Sequence, residues 1–201
     1  ADWSEDFDGD VRMRCTVTDG KLNTSAVTKT FSTGTPLRAQ VIRSDLTLGA
    51  AGSPYVILEG ITVEAGATLT VEAGVELQVR LARGTGTTFP IVVSGTLVTL
   101  GAIDDPVGIR GGYSEDPVAG GGTEQFDGVD VQNGGVVSLD YTWIRDAVTG
   151  LRIRSSEPSS VRSSIFSDCV NGVQVEAGEG TTLTSITFRE NGTGLQLNSA
   201  A

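Results

Sequence analysis

Asp146, Asp168 and Glu190 come nearest, in type and spacing, to a set of residues that could do chemistry. They recur at a step of about 22 residues, and Glu124 would precede them if the loop before it leaves the step intact. If each step is one turn of a regular coil, the three carboxylates stack about 5 Å apart. Carboxylates that close repel, so either one of them holds its proton or a cation sits between them. Calcium suits oxygen-only ligands, and the residues suggest no other cofactor. Arg145 and Arg189 flank the column, so a neutralised, solvated column is the alternative reading.

Other candidates are weaker. Asp6, Asp8 and Asp10 in DFDGD have the alternation of a calcium loop but lack the later bidentate acid. Asp104-Asp105 is a pair of acids inside GAIDDPVGI, directly before Pro106. Two insertions, Arg80 to Pro90 and Gly111 to Gln125, break the step. Rigid scaffolds usually carry functional residues on such loops. Arg83, Arg110 and Tyr113, in or beside them, are therefore the candidate ligand-binding residues. Tyr141 and Trp143 flank a strand and could stack on a sugar ring. Histidine is absent, which removes the commonest general base and every Ser-His or Cys-His nucleophile. Cys15 and Cys169 lie in different segments and make no disulfide framework. No catalytic residue is assigned.

The elements that must position these residues are written in the glycines. Gly128, Gly150, Gly172 and Gly194 share the same step, and each is followed by an apolar, a polar and an apolar residue. Such a period marks a solenoid, one turn of chain per repeat. TVEAGATL at 62–69 and TVEAGVEL at 70–77 nearly repeat, each giving a strand, a tight bend and a strand. The step predicts inward columns of Leu139, Val161, Leu183 and of Ile144, Phe166, Phe188. It predicts outward charge pairs of Asp130 with Arg152, Arg154 with Glu176 and Asp140 with Arg162. A slip of one residue would destroy all three. Residues 1–37 differ: Val11, Met13, Cys15 and Val17 alternate with polar residues, a turn follows at Asp19-Gly20, and a second strand runs to about Ser32. This is a hairpin, and the solenoid is expected from about Val41, giving segments 1–37 and 38–201.

The stretch from Tyr55 to Gly101, with SLDYTWIRDAVTG, SSIFSDCVNG and TSITFRENGTG further on, closely resembles right-handed parallel β-helix proteins of bacterial surfaces. Gly9 to Pro36 resembles the last two strands of bacterial extracellular immunoglobulin-like modules. In that family the cysteine commonly pairs with one on an earlier strand, which is missing here. The resemblance implies an all-β right-handed parallel β-helix of about six to seven coils behind an N-terminal hairpin. It also implies an asparagine turned inward at the bend that holds Ala147, Cys169 and Asn191, and an extracellular or cell-surface location. The fold hosts lyases, hydrolases, adhesins and scaffolds, so it does not set the function.

Charge narrows the partners. Asp and Glu number 25 against 14 Lys and Arg, for a net charge of −11. Nucleic acid and anionic membranes attract positive fields, so neither is expected as a partner. No run reaches the length of a membrane span. The sequence stops at Leu195 to Ala201, part-way through a coil, with no pattern for a capping helix. The expectation is that the ends are completed from outside, by self-association through the coil ends or by neighbouring domains. The reading is a non-enzymatic structural or adhesive module. The alternatives are a β-helix polysaccharide lyase or glycoside hydrolase, and a glycan-binding module taking polysaccharide.

Overall fold

The computed structural model of the chain describes residues 10–18, 24–32, 34–37, 40–58, 60–79, 89–111, 125–177 and 179–198. Asp10–Thr18 and Thr24–Ser32 pair antiparallel as a hairpin, with Val11 opposite Phe31 and Cys15 opposite Val27. The rest of the described strands form three parallel sheets. Face A runs from Thr35–Leu37 to Thr187–Arg189, face B from Gln40–Ile42 to Thr193–Leu197, and face C from Leu46–Leu48 to Thr182–Thr184. The chain passes A, B, C and then A again, one coil higher. Faces A and B hold seven strands each and face C six. Six three-sided coils therefore stack, with a seventh contributing its A and B strands, and the fold is a parallel β-helix. At about 4.8 Å per coil the stack rises roughly 30 Å.

The strands form because period-two alternation meets β-branched residues. In Thr68–Glu72, Leu69 and Val71 are fully buried while Thr68, Thr70 and Glu72 alternate with them and face out. The buried residues repeat vertically. Leu69, Leu97 and Val137 are neighbours in register on face C, followed by the Leu139, Val161, Leu183 column. On face A the predicted column of Ile144, Phe166 and Phe188 is in place, and the two phenylalanine rings lie 5.9 Å apart. Fully burying each such side chain contributes about 1.5–3 kcal/mol.

The glycine column has a steric cause. A Cβ on Gly150 would stand 2.6 Å from the Gly172 carbonyl oxygen and 2.9 Å from the Phe166 ring. One coil up, a Cβ on Gly172 would meet the Gly194 carbonyl at 2.6 Å and Phe188 at 2.8 Å. Gly128 also has φ +108°, and a Cβ there would run into the Thr149 carbonyl. Backbone and aromatic ring leave no room for a side chain at the start of face B. The register that follows is the expected one: Val129, Leu151, Val173 and Leu195 are vertical neighbours.

Two details differ from the sequence reading. The first ladder strand is Thr35–Leu37, ahead of Val41, and it pairs with Tyr55–Ile57. A three-residue strand containing Pro36 has too little alternation to be read, and proline is tolerated there because the strand lies at the sheet edge. Asp130 and Arg152 are register partners, yet the ion pair of Asp130 runs diagonally to Arg154 at 3.5 Å. Arg154 also reaches Glu176 at 3.5 Å, as predicted, and Arg152 turns up toward Gln174 and Glu176. Long side chains reach diagonal neighbours as easily as direct ones. Asp140 and Arg162 pair directly, with Nε and Nη2 donating to the two carboxylate oxygens at 2.7 and 2.6 Å.

Candidate functional site

The bends explain the acidic column. Asp146, Asp168 and Glu190 have φ of 57°, 56° and 53°, and they occupy the same corner between faces A and B. A second left-handed corner, between faces C and A, holds Tyr141, Ser163 and Ser185 at 41°, 50° and 56°. The backbone turns at each corner by one residue in the left-handed region, which Asp tolerates better than most side chains. The corners stack through the main chain: the Asp146 N–H donates to the Ser167 carbonyl, and the Asp168 N–H to the Arg189 carbonyl. Among the described residues no three His, Cys, Asp or Glu side chains converge as a metal site. The three acids hold equivalent corner positions on successive coils. Glu124, Asp6 and Asp8 lie outside the described residues, and of Asp10 only its place in the hairpin strand is described.

Cys169 follows the corner Asp168 and is buried, with its thiol donating to the Ser167 carbonyl at 3.1 Å. Burial pushes the thiol up to about 11. It is a core filler above Ala147. Asn191, one coil higher, turns its amide to the coil beneath, as the resemblance implied. Asp104 and Asp105 are exposed in a turn closed by reciprocal backbone bonds between Ala102 and Asp105.

The one described position with the makings of a ligand site is on the outer surface of face A. Two outward columns run side by side there. Glu76, Gly108, Trp143 and Ile165 form one, and Gln78, Arg110, Arg145 and Ser167 the other. Gly108 has no side chain, so the first column has a gap between Glu76 and Trp143. The gap is a groove of about 170 Å³, bordered by Gly74, Glu76, Pro106, Arg110, Trp143 and Arg145. Its sides are held in place. Arg110 donates from Nε and Nη2 to Glu76 Oε1 at 2.8 Å each, and Gln78 Nε2 donates to the same oxygen at 2.6 Å. The Trp143 indole N–H donates to Ser167 Oγ at 2.9 Å. The Arg145 guanidinium lies over the indole, 4.9 Å from the ring centroid, in a cation–π contact. Among the described residues Arg145 has no carboxylate partner, although it sits in register beside Arg110.

Of the three loop residues proposed from sequence, Arg110 is in this groove, while Arg83 and Tyr113 lie outside the described residues. Sequence reasoning missed Glu76, Gly108 and Arg145 as partners of Trp143. The signal available was the outward glycine of Val107–Gly111, a strand whose other positions alternate regularly. Among the described residues no helix is long and apolar enough to cross a membrane. Comparison with protein-family models, curated proteins and solved structures gave no match.

Proposed function

We propose that the β-helix is a non-enzymatic structural or adhesive module, a rigid rod that holds its faces at fixed spacing outside the cell or at its surface. The observation that carries this reading is the unbroken register of three sheets from Thr35 to Leu197. Several of its outward side chains satisfy one another, such as Asp140 with Arg162 and Gln174 with Glu176. An enzyme of this fold would need acids and a base converging on one point in a cleft. Of the carboxylates considered from sequence, Asp146, Asp168 and Glu190 lie along one corner and Asp104 and Asp105 in a turn. The extracellular placement rests on the resemblance to bacterial surface proteins alone.

Leu195 and Leu197 continue the inward columns of face B yet are 41% and 69% exposed. An open ladder edge takes another strand. A further coil, from a second copy or from neighbouring chain, would bury them. Incubation with a panel of neutral and acidic polysaccharides tests the reading, with new reducing ends and unsaturated products as the readout. A rod leaves every polymer intact. Turnover of any one of them overturns the non-enzymatic assignment. Sedimentation across a concentration range reports on stacking through the ends.

A further inference from the structure

We propose that the groove at Gly108 is a binding subsite for one carboxylate-bearing sugar ring, a uronic-acid residue of an acidic polysaccharide. The proposal deepens the adhesive reading and rests on the module being non-catalytic.

The size comes first. A groove of 170 Å³ is well below the roughly 300–1,000 Å³ of sites for drug-sized ligands. A groove that small takes one ring and not an extended ligand. The groove is open to solvent along the outside of the sheet, so the ring's neighbours in a polymer need not enter. Its floor is bare backbone at Gly108, and a rigid indole stands on one side.

The charges then choose the ligand. Arg110 and Arg145 are adjacent in register and carry like charge, while the only carboxylate among the lining residues is Glu76. Among the lining residues Glu76 neutralises one of the two guanidiniums and leaves the other facing the groove, with Asp105 at the rim beside Gly74. Among the described residues the Arg145 guanidinium has no carboxylate partner, and held over the indole it presents donors that suit a planar carboxylate. Glu76 concentrates its bonds on Oε1. Its Oε2 lies 3.8 Å from where a Cβ on residue 108 would stand, so it faces the gap. A ligand that offers a carboxylate to Arg145 and hydroxyls to Glu76, with apolar C–H groups toward Trp143, uses all three walls. An acidic peptide side chain would use only the arginine, with no hydroxyls for Glu76 and no ring face for Trp143.

The test is calorimetric titration of the protein with three probes of equal length: an oligouronate, its methyl ester and an oligoglutamate. The expected result is oligouronate binding with Kd on the order of 1 mM. The methyl ester, which keeps the rings and loses the charge, binds at least about tenfold more weakly, as does the oligoglutamate. Gly108→Val fills the gap; a Cβ there is only in ordinary contact with Glu76, at 3.4 Å, so the strand folds and binding is lost. Arg145→Gln loses the affinity as well. Arg162→Gln, on face C, retains it and so separates the groove from general positive charge. No oligouronate binding, equal binding of the ester, or full binding by folded Gly108→Val or Arg145→Gln overturns the proposal. Each of those results leaves the rod reading standing, whereas cleavage of the oligouronate would sink the non-catalytic reading itself.

Discussion

Asn191 fastens the corner one coil beneath it through the backbone of Cys169: its Oδ1 accepts the Cys169 N–H at 2.9 Å while its Nδ2 donates to the Phe166 carbonyl at 2.8 Å. Corners leave the sheet ladder, so their backbone groups need partners from side chains. Ser159 and Ser164 do the same on other corners, accepting the Val137 and Thr142 N–H groups from 22 residues away. Asn191→Ala is expected to lower stability by about 1–3 kcal/mol, because both backbone groups lose their partner at once. Asn191→Asp keeps the acceptor and turns an oxygen toward the Phe166 carbonyl, so it is expected not to rescue. Urea midpoints of the two variants check this. An unchanged midpoint for the alanine variant would mean that water satisfies the corner equally well.

Gly150 and Gly66 are glycines for different reasons, and substitution separates them. Gly150 is needed for space, between the Gly172 carbonyl and the Phe166 ring. Gly66 has φ +86° and nothing within 4 Å of its Cβ position, so only its backbone conformation matters. Gly66→Ala is expected to cost about 1–2 kcal/mol, with Gly66→Asn milder because Asn tolerates left-handed backbone. Gly150→Ala is expected to cost about 1–3 kcal/mol or more, with Gly150→Asn worse still. Thermal or urea unfolding of the four variants reads the order. A milder Asn at position 150 would be inconsistent with the steric account.

The same contrast bears on what the sequence disclosed. From Gly128 onward the coils carry no long insertion, so the step persisted and the Leu151, Val173, Leu195 column could be placed by counting. The acids at positions 146, 168 and 190 were visible as a column too. Their positive φ was not, because residue type shows charge and conceals the sign of a dihedral. The groove was hidden for another reason. Gly108 lies before the insertion that follows Gly111, and Trp143 lies after it, so no fixed step links them. Charge partners on face B were legible only to the nearest neighbour, since a flexible arginine chooses between direct and diagonal carboxylates in three dimensions.

The buried thiol of Cys169 ties stability to alkaline pH. Its ordinary value of 9.0 is pushed up to about 11 in the fold, by burial first and with the charges of Asp146 and Asp168 adding. The folded state therefore favours the neutral thiol. Stabilisation is fully present below pH 9 and is lost as pH rises through 11, because the unfolded chain releases its proton first. At about 1.4 kcal/mol per unit, up to about 2–3 kcal/mol disappears across that window. Cys169→Ala, which copies Ala147 one coil below, is expected to flatten the pH dependence relative to the parent chain. Urea unfolding on either side of the window measures the difference. Parallel curves for the two proteins would show that the thiol ionises equally well when folded.

Arg162 and Asp140 form the best-aligned ion pair of the described residues, yet its energetic worth is expected to be small. The hydrogen bond to Asp140, and then its charge, raise the arginine above its ordinary value. Alignment, however, is only half of the energy. The Arg162 side chain is 61% exposed, so water competes for both partners and salt screens them. A double-mutant cycle of Arg162→Gln and Asp140→Asn is expected to give only a small coupling, falling as salt is added. The core columns beneath, not the charges above them, then hold the register: Leu139 and Val161 are buried directly inside this pair, and Leu139→Ala is expected to cost about 2–5 kcal/mol. A coupling as large as the loss on Leu139→Ala, and insensitive to salt, would reverse that ranking and make the outer charge ladder a principal source of stability.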